Sequence, residues 1–313
     1  MKILLTGGAG FIGSHLTEYL LKKTNHQIII IDNLFSGRKS NIKSFLSLHS
    51  NRISFIEEDI CNHIFPIDFY VDQIYHLACP ASPPFYQKNP IHTIKTCIHG
   101  SLNVLELAKK CKCPILLSST SEIYGEPTIS PQVEEYRGNV NTIGPRSCYD
   151  EGKRLAETLF IEYKNLYDVN IKIVRIFNTY GPNLNPDDGR VVSNFIKQSL
   201  LNQNITIYGD GSQSRSFCYI SDMLIGLVTM MNSNETGPIN IGNPNEISIK
   251  KLAEIIINIT NSNSKLVFKD LPIDDPTHRC PNITKANNKL NWYPTVSLEF
   301  GLREMINSYK SFI

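Results

Sequence analysis

The chain has 313 residues, which is enough for one large domain or two moderate ones. Hydrophobic residues make up 41% and charged residues 19%, values typical of a globular enzyme that exclude a disordered or collagen-like chain. The 31 basic and 29 acidic side chains leave a formal charge of +2, too weak a field to drive binding to nucleic acid or membranes. The eight cysteines are scattered, so we expect reduced thiols and no bound metal. No export signal and no membrane-spanning apolar run is recognisable, and we expect a cytoplasmic protein.

Short apolar runs alternate with amphipathic segments through the first half of the chain. The runs predict buried strands, and the segments between them predict helices, the longest at 93–110 and 149–167. In chain order the predicted strands cover 2–6, 27–31, 53–57, 73–78, 114–118 and 171–177, and a shorter helix covers 14–23. Strands that alternate with helices and are apolar on both faces form βαβ units. The pattern therefore predicts an α/β fold with a Rossmann-type, doubly wound parallel sheet.

The pattern changes after Gly181-Pro182 to loops, isolated helices and short strands. Helices are predicted at 191–201, 222–231 and 248–259, and brief strands at 205–208 and 238–241. We expect residues 1–180 to form a dinucleotide-binding domain, to which a segment near 218–245 returns. Residues 181–313 would mainly form a smaller α/β substrate-binding domain. Because ligands of open α/β sheets bind beyond the carboxyl ends of the strands, the site is expected there.

The first motif lies directly after the first predicted strand. Residues 6–13 read Thr-Gly-Gly-Ala-Gly-Phe-Ile-Gly, with glycines at 7, 10 and 13 that allow a tight turn and close approach of backbone N–H groups to a pyrophosphate. Asp32 follows the second strand, where its carboxylate can accept hydrogen bonds from ribose hydroxyls and would repel the 2′-phosphate of NADP. The motif therefore predicts NAD as the cofactor, although Arg38 could attract a 2′-phosphate.

A second motif, Tyr149-Asp-Glu-Gly-Lys153, places a phenol and an ammonium on one face of a predicted helix. We expect the Lys153 ammonium to favour the Tyr149 phenolate. Upstream, residues 118–122 read Ser-Ser-Thr-Ser-Glu at a strand end, so Thr120 would hydrogen-bond a sugar hydroxyl whose proton Tyr149 removes. The glycine spacing and this pair resemble the extended short-chain dehydrogenase/reductase superfamily.

The second half adds motifs that resemble the sugar-nucleotide-modifying members of this superfamily. They span residues 178–182, 189–195 and 208–217. Arg190 and Arg215 could form bidentate hydrogen bonds with a diphosphate, and Tyr208 could pack against a nucleobase. These motifs favour a UDP-sugar as the substrate.

The resemblance narrows to the UDP-glucuronate decarboxylases, also called UDP-xylose synthases, at residues 76–84, 89–96, 144–153 and 274–281. It covers essentially the whole chain. Two departures are visible: Cys79 stands where a serine is usual, and Asn282 stands where an aspartate is usual. Cys79 is expected beside the nicotinamide ribose.

The resemblance implies a role for each matching residue. Catalytic roles fall to Thr120, Glu122, Tyr149, Lys153 and Arg279. Substrate binding falls to Lys95, Asn103, Asn178, Arg190, Tyr208, Arg215 and Arg279. Cofactor binding falls to Gly7, Gly10, Phe11, Ile12, Gly13, Asp32, Asn33, Ser36, Gly37, Asp59, Ile60, Leu77, Cys79, Thr96, Tyr149, Lys153 and Thr179.

The implied reaction is oxidation at C4 of UDP-glucuronate, loss of carbon dioxide from the β-keto acid, and reduction to UDP-xylose. Arg279 would orient the C6 carboxylate, whereas Glu122 would act either as a charge or, if protonated, as a proton donor to C5. Alternatives are a decarboxylase that releases the 4-keto pentose, a 4-epimerase, a 4,6-dehydratase, or a non-catalytic NAD-binding regulator. Ser121 argues against the dehydratase, in which an aspartic acid would protonate the leaving oxygen.

The two long helices carry apolar positions beyond those needed to cover the sheet. They are Ile94, Ile98, Leu102 and Leu105 in one helix, and Leu155, Leu159 and Phe160 in the other. Pairing with the same helices of a second copy would build a four-helix bundle, the arrangement common in this superfamily. We therefore expect a homodimer.

Overall fold

A seven-stranded parallel sheet lies at the centre of the protein, which a computed structural model describes for residues 1–271 and 276–310. Asp274 and Asp275, which belong to a motif behind the family resemblance, lie outside the described residues. In chain order the strands are β1 (Lys2–Thr6), β2 (Gln27–Ile31), β3 (Ile53–Ile56), β4 (Gln73–His76), β5 (Ile115–Thr120), β6 (Ile171–Ile176), β7 (Thr179–Tyr180), β8 (Ile205–Tyr208), β9 (Ser214–Ser216), β10 (Cys218–Tyr219), β11 (Ile239–Ile241), β12 (Glu246–Ser248), β13 (Leu266–Lys269) and β14 (His278–Arg279).

Helices pack on both faces of this sheet and around the second unit. In chain order they are α1 (Phe11–Lys23), α2 (Lys43–Leu48), α3 (Pro83–Tyr86), α4 (Pro90–Lys95), α5 (Ser101–Cys111), α6 (Ser147–Tyr167), α7 (Val191–Leu200), α8 (Ile220–Asn232), α9 (Ile249–Thr260), α10 (Thr284–Leu290) and α11 (Leu298–Tyr309). A π-helical segment, Thr96–Gly100, joins α4 to α5, and 3₁₀ turns occupy Lys39–Asn41 and Ser121–Tyr124.

The strands of the sheet follow the order β11-β6-β5-β4-β1-β2-β3. Both faces are apolar: Leu4 belongs to a buried cluster with Val104 and Phe160, whereas Ile3 and Leu5 belong to the cluster on the opposite face. The chain reverses its winding direction between β1 and β4, which opens a crevice at their carboxyl ends. The Rossmann-type sheet expected from the sequence is therefore confirmed.

A second, smaller unit is built around a separate core. Helices α7, α9 and α11 pack with the parallel pair β8–β13, and Phe195, Ile207, Leu252 and Met305 are among the buried side chains of this core. A further sheet, in the order β12-β9-β14, joins distant parts of the chain. Strand β11 lies in the same part of the chain as this unit, but it pairs with β6 at the edge of the large sheet.

The junction between the two units is held by hydrogen bonds to three consecutive backbone carbonyls at residues 182–184. The first pairs with His15 Nε2 at 2.7 Å, the second accepts from Arg38 Nη2 at 3.0 Å, and the third accepts from Tyr309 Oη at 2.9 Å. Two of these side chains come from the unit that contains the large sheet and one comes from the last helix, so residues 182–184 are tied to both units.

Several element boundaries differ from the predicted ones. The first helix begins at Phe11 rather than 14, because Gly10 is already its N-cap. The strand predicted at 73–78 ends at His76, and the helix predicted at 93–110 comprises α4, the π-helical segment and α5.

Two side chains assigned to the dimer interface are buried within their own subunit. Leu105 and Phe160 are 0% exposed and pack beneath the sheet, so that part of the prediction is wrong. Ile94, Ile98, Leu102 and Leu159 are partly exposed, and Leu155 is 43% exposed. The homodimer itself stays a prediction.

In residues 1–271 and 276–310, helices lack the combination of length and apolar character needed to traverse a bilayer.

Candidate active site

A cleft of about 610 Å³ runs from the carboxyl ends of β1 and β4 to the second unit. The site residues that the sequence predicts and that line this cleft are Gly7, Gly10, Phe11, Ile12, Gly13, Asp32, Asn33, Ser36, Asp59, Ile60, Leu77, Cys79, Thr96, Thr120, Glu122, Tyr149, Lys153, Asn178, Thr179, Arg190, Tyr208, Arg215 and Arg279. The fold thus brings together residues that are as far apart as 7 and 279 in the chain.

The glycine-rich turn fits tightly against neighbouring backbone. Gly7 has a positive φ of 73°, and a Cβ on this residue would lie 2.8 Å from the backbone nitrogen of Ala78. A Cβ on Gly13 would lie 2.2 Å from the carbonyl oxygen of Gly7. Both positions therefore require glycine, and the turn leaves backbone N–H groups at the start of α1 close to any anion in the cleft.

Asp32 closes the far side of this turn. Its carboxylate accepts hydrogen bonds from the backbone N–H groups of Ala9 and Leu34, each at 2.9 Å. Burial raises the pKa of Asp32, while the backbone N–H groups oppose that shift. Gly37 lies behind this carboxylate, since a Cβ there would be 2.9 Å from Asp32 Oδ1. Gly37 does not itself line the cleft.

A carboxylate with two side-chain partners marks the end of the cleft near β3. Asp59 accepts a hydrogen bond from Asn33 Nδ2 at 3.0 Å and pairs with His92 Nε2 at 2.6 Å. Although burial opposes the shift, these partners lower the pKa of Asp59 to about 2. Cys61 brings a thiol within 4.8 Å of both groups, a combination of ligand atoms that could hold a metal ion.

The Tyr149 phenol lies in the middle of the cleft, buried and hydrogen-bonded to the Thr120 side chain. Burial, reinforced by Cys79, raises its pKa well above the ordinary value, although we expected Lys153 to favour the phenolate. The Lys153 ammonium donates to the carbonyl oxygen of Ser118 at 2.7 Å. Lys153 therefore supplies a buried positive charge one turn from Tyr149.

Tyr86 lies beside Tyr149 in the wall of the cleft. Its ring stacks on that of Tyr149 with a centroid distance of 5.2 Å and an interplanar angle of 5°. The Tyr86 side chain is 1% exposed, and its hydroxyl has no hydrogen-bond partner among the described residues. A buried hydroxyl without a partner on the wall of a cleft indicates a place where a bound molecule can hydrogen-bond.

Two arginines converge on Glu122. Its Oε2 accepts hydrogen bonds from Arg146 Nη2 at 2.5 Å and from Arg279 Nη2 at 3.2 Å. Arg279 is only 1% exposed, and its Nη1 donates to the carbonyl oxygen of Ser121 at 3.0 Å. Burial opposes ionisation of Glu122, but the two guanidinium groups lower its pKa to about 2. Glu122 is therefore a buried carboxylate anion, which favours the electrostatic role over the role of proton donor.

Asp150 behaves in the opposite way from Glu122. Burial and the nearby negative charge of Glu122 raise its pKa to about 8, even though Arg146 Nε lies 4.0 Å from Oδ2. Sequence reasoning assigned no role to Asp150, Arg146 or Tyr86. Arg146 lies three residues before Tyr149, at the N-cap of α6. This helical spacing is the sequence signal that could have placed Arg146 near the site.

The remaining predicted ligands divide between the cleft and other surfaces. Arg190 donates to the carbonyl oxygen of Ala81 at 2.8 Å, and Arg215 is the register partner of Arg279 in the β9–β14 pair. Lys95 is exposed and Asn103 is hydrogen-bonded elsewhere, so neither lines the cleft.

Asn103 instead stabilises the loop that follows β3. Its Nδ2 donates to the carbonyl oxygens of Ile60 at 2.8 Å and Cys61 at 3.2 Å. The Asn103 amide thus holds the backbone next to Asp59, at the end of the cleft near β3.

Known proteins match almost the whole length of this chain. The model of the family described as GDP-mannose 4,6 dehydratase matches residues 4–305. UDP-glucuronic acid decarboxylase 5 of Arabidopsis thaliana is 51% identical over 310 residues, which covers 99% of this chain and 89% of that protein. UDP-glucuronic acid decarboxylase 1 of Xenopus tropicalis is 49% identical over 309 residues, with coverage of 99% and 72%. The chain belongs to the UDP-glucuronic acid decarboxylase family.

Solved structures similar to this family member share its whole fold. A UDP-glucuronic acid 4-epimerase from Bacillus cereus, in complex with UDP-glucuronic acid and NAD, is 33% identical with a TM-score of 0.88 and full coverage of both chains. A UDP-glucose 4-epimerase from Thermotoga maritima with UDP-glucose is 28% identical with a TM-score of 0.89, covering 100% and 99% of the two chains. The membership in the short-chain dehydrogenase/reductase superfamily is therefore confirmed.

Proposed function

We propose that this member of the UDP-glucuronic acid decarboxylase family uses NAD to convert UDP-glucuronate into UDP-xylose and carbon dioxide. It is an enzyme, a carboxy-lyase. The observation that carries the proposal is the cluster of two guanidiniums and one carboxylate beside Tyr149. Arg146 and Arg279 both donate to Glu122 Oε2, so two cationic groups lie next to the place that we assign to the sugar carboxylate.

The residues of the first unit fit NAD. The turn at Gly7 and Gly13 has no room for side chains and offers N–H groups to a pyrophosphate, and Asp32 offers carboxylate oxygens to ribose hydroxyls. We assign cofactor binding to residues 1–180 with a contribution near 218–245, and UDP-sugar binding mainly to 181–313. NAD supplies the reversible oxidation and reduction of C4. Calorimetric titration tests this assignment, because equal affinity for NAD and NADP would contradict the role given to Asp32.

Tyr149 and Thr120 act on the C4 oxygen. The Thr120 hydroxyl, hydrogen-bonded to the phenol, positions the sugar hydroxyl, and Tyr149 removes its proton as C4 is oxidised. Lys153 is buried one helical turn away, where its charge stabilises negative charge on the phenol. The same two hydroxyls then donate hydrogen bonds to the C4 oxygen when it becomes an enolate, which takes up a proton at C5 to restore the ketone before C4 is reduced.

The arginines act on the carboxylate that leaves. Oxidation at C4 makes the C6 carboxylate part of a β-keto acid, which loses carbon dioxide without a metal because the ketone accepts the electron pair. Arg279 and Arg146 orient that carboxylate, and the ionised Glu122 keeps both guanidiniums in place.

The deciding experiment is incubation of the protein with UDP-glucuronate and NAD, followed by NMR of the products. UDP-xylose with catalytic amounts of NAD is the expected result. Accumulation of the 4-keto pentose with one equivalent of NADH would identify a releasing decarboxylase, and UDP-galacturonate would identify an epimerase. Tyr149→Phe is the control, since it keeps the stacked ring but should reduce C4 oxidation by about 100-fold or more. NAD binding without any turnover would instead support a regulator.

We also propose that the protein is a homodimer whose α4–α5 and α6 helices pair with their copies. The apolar side chains available on these faces are Ile94, Ile98, Leu102, Leu155 and Leu159, which are partly or well exposed in the single chain. Light scattering at micromolar concentration tests this, and Leu155→Glu should shift a dimer toward monomer.

The compartment that we propose is the cytoplasm. All eight cysteines are free thiols, which suits a reducing environment. Cell fractionation with a tagged full-length chain tests this assignment.

A further inference from the structure

Two thiols approach each other beside the catalytic phenol. Cys79 follows β4 and lines the cleft, whereas Cys97 lies in the π-helical segment Thr96–Gly100 and is 2% exposed. Their sulfur atoms are 3.4 Å apart. Gly152 of α6 makes room for Cys97, because a Cβ there would lie 3.0 Å from its Sγ. The packing therefore directs the Cys97 sulfur toward Cys79.

The two thiols are electrostatically unequal. Although burial opposes it, the contact with Cys97 and the charge of Lys153 lower the pKa of Cys79. The pKa of Cys97 is raised, first by its contact with Cys79 and then by burial. By contrast, burial raises the pKa of Cys61 to about 11. Cys79 thus has the greater thiolate character and faces the cleft, while Cys97 keeps its proton behind it.

We propose that Cys79 and Cys97 form a reversible oxidation site that reacts with hydrogen peroxide and that bound NAD protects. The protection, but not the dithiol chemistry, rests on the cofactor site proposed above. Cys79 is the reacting thiol because peroxide can reach it through the cleft, and Cys97 is the resolving thiol because it is within reach but enclosed.

The reaction balances in two steps. The Cys79 thiolate attacks one peroxide oxygen, the O–O bond breaks, and Cys79 becomes a sulfenic acid while the departing hydroxide takes a proton to form water. The Cys97 sulfur then attacks the Cys79 sulfur, the S–O bond breaks, and the hydroxyl leaves with the Cys97 proton as a second water. Peroxide is reduced and the two thiols are oxidised to one disulfide, which an added dithiol reverses by exchange.

Closing the disulfide would change the cofactor end of the cleft. The sulfur atoms must move from 3.4 Å to about 2.05 Å apart. The segment that carries Cys79 contacts the glycine turn in two ways. The backbone N–H of Ala78 donates to Thr6 Oγ1 at 3.3 Å, and the backbone of Ala78 packs against Gly7. We therefore expect the oxidised chain to bind NAD more weakly than the reduced chain.

Peptide mapping after peroxide treatment tests the site. Trypsin leaves Cys61 and Cys79 together in peptide 53–88 and Cys97 in peptide 96–109. A Cys61→Ser background therefore assigns a crosslink between these peptides to Cys79 and Cys97. The expected result is a crosslinked pair that has lost two hydrogen atoms in mass and that dithiothreitol converts back.

Three cysteine variants and the addition of NAD test the role given to each thiol. Cys97→Ser should stop the reaction at a Cys79 sulfenic acid that dimedone traps, whereas Cys148→Ser, which changes a neighbouring thiol bonded to the Tyr86 carbonyl, should leave the crosslink intact. Cys79→Ser should abolish both products. With NAD at about ten times its Kd, only about a tenth of the chain is open, so the crosslink should form about tenfold more slowly.

Three results would contradict the proposed oxidation site. Persistence of both free thiols under peroxide that oxidises other cysteines, or a crosslink from Cys79 to Cys148, would overturn the proposal. So would an unchanged rate of crosslinking under conditions where calorimetry shows NAD bound. If calorimetry shows no NAD binding, the cofactor proposal fails, and the crosslink alone then decides the dithiol site.

Discussion

The Glu122 carboxylate accepts a hydrogen bond from Arg279 Nη2 at 3.2 Å, across a sequence separation of 157 residues. This hydrogen bond connects the end of β5 in the large sheet to β14 in the second unit. A guanidinium that is 1% exposed cannot lack a counterion, because desolvating a charge is costly unless it is paired. Glu122 is therefore what allows Arg279 to be buried in the cleft.

Glu122→Gln should destabilise the protein. The change keeps the shape of the side chain but leaves two buried guanidiniums without their shared negative charge, so we expect the free energy of unfolding to fall by about 3 kcal/mol. Urea denaturation at pH 7 measures this. The control is Glu299→Gln, which removes an exposed ion pair with Arg303 and should change stability by less than about 0.5 kcal/mol. Equal effects of the two variants would contradict the role given to Glu122.

Arg279→Ala should mainly affect decarboxylation. Loss of the guanidinium removes the group that orients the C6 carboxylate, so carbon dioxide release from UDP-glucuronate should slow about 100-fold. NAD affinity should be unchanged, since we assign the NAD contacts to the glycine turn and Asp32, which this substitution leaves intact. Radiolabelled carbon dioxide release and calorimetry give the two measurements, with Arg303→Ala as the exposed control. Normal release would shift the carboxylate-binding role to Arg146 or Arg190.

Asp150 should make stability fall as pH rises. Its pKa is about 8 in the folded protein and near the ordinary 3.8 in the unfolded chain, so between these values the folded state binds the extra proton. Stability from this group is complete below pH 3.8 and is lost as pH rises toward 8, with a slope of at most about 1.4 kcal/mol per pH unit.

Asp150→Asn removes this titration. Urea denaturation at several pH values between 5 and 8 should show a flatter profile for the variant than for the parent protein. Parallel profiles would mean that Asp150 is ionised in the folded state and that another group compensates its charge.

Tyr86→Phe should stabilise the free protein. The Tyr86 hydroxyl is buried without a partner among the described residues, so removing it relieves a desolvation cost and should raise the free energy of unfolding by about 1 kcal/mol. Tyr309→Phe is the matched control: that hydroxyl donates to the carbonyl of Leu184 at 2.9 Å, and its loss should lower stability by about 1 kcal/mol. If the Tyr86 hydroxyl binds the sugar, the stabilised variant will also show a higher KM for UDP-glucuronate. Destabilisation by Tyr86→Phe would contradict this account.

The sheet and the motifs next to its strands were predictable because their signals are local. Strand apolarity, the glycine turn and the Tyr149–Lys153 spacing each lie within one or two elements. Arg146 and Asp150 were missed because their importance arises from Glu122, which a different strand brings to the same place. A residue whose role depends on a distant charge has no pattern in its own segment.

Two errors have the opposite origin. Periodicity showed that Leu105 and Phe160 are apolar, but only the packing of α5 and α6 on the sheet decides that both point inward. In both cases the residue type was read correctly and its direction was not.

The three anchored carbonyls at residues 182–184 bear on how the molecule melts. A junction held from α1, from the loop after β2 and from α11 cannot swing freely, and one unit cannot come apart without breaking bonds that belong to the other. Heat should therefore unfold the two units in one cooperative transition, because the C-terminal helix stabilises the unit with the large sheet as well as its own unit.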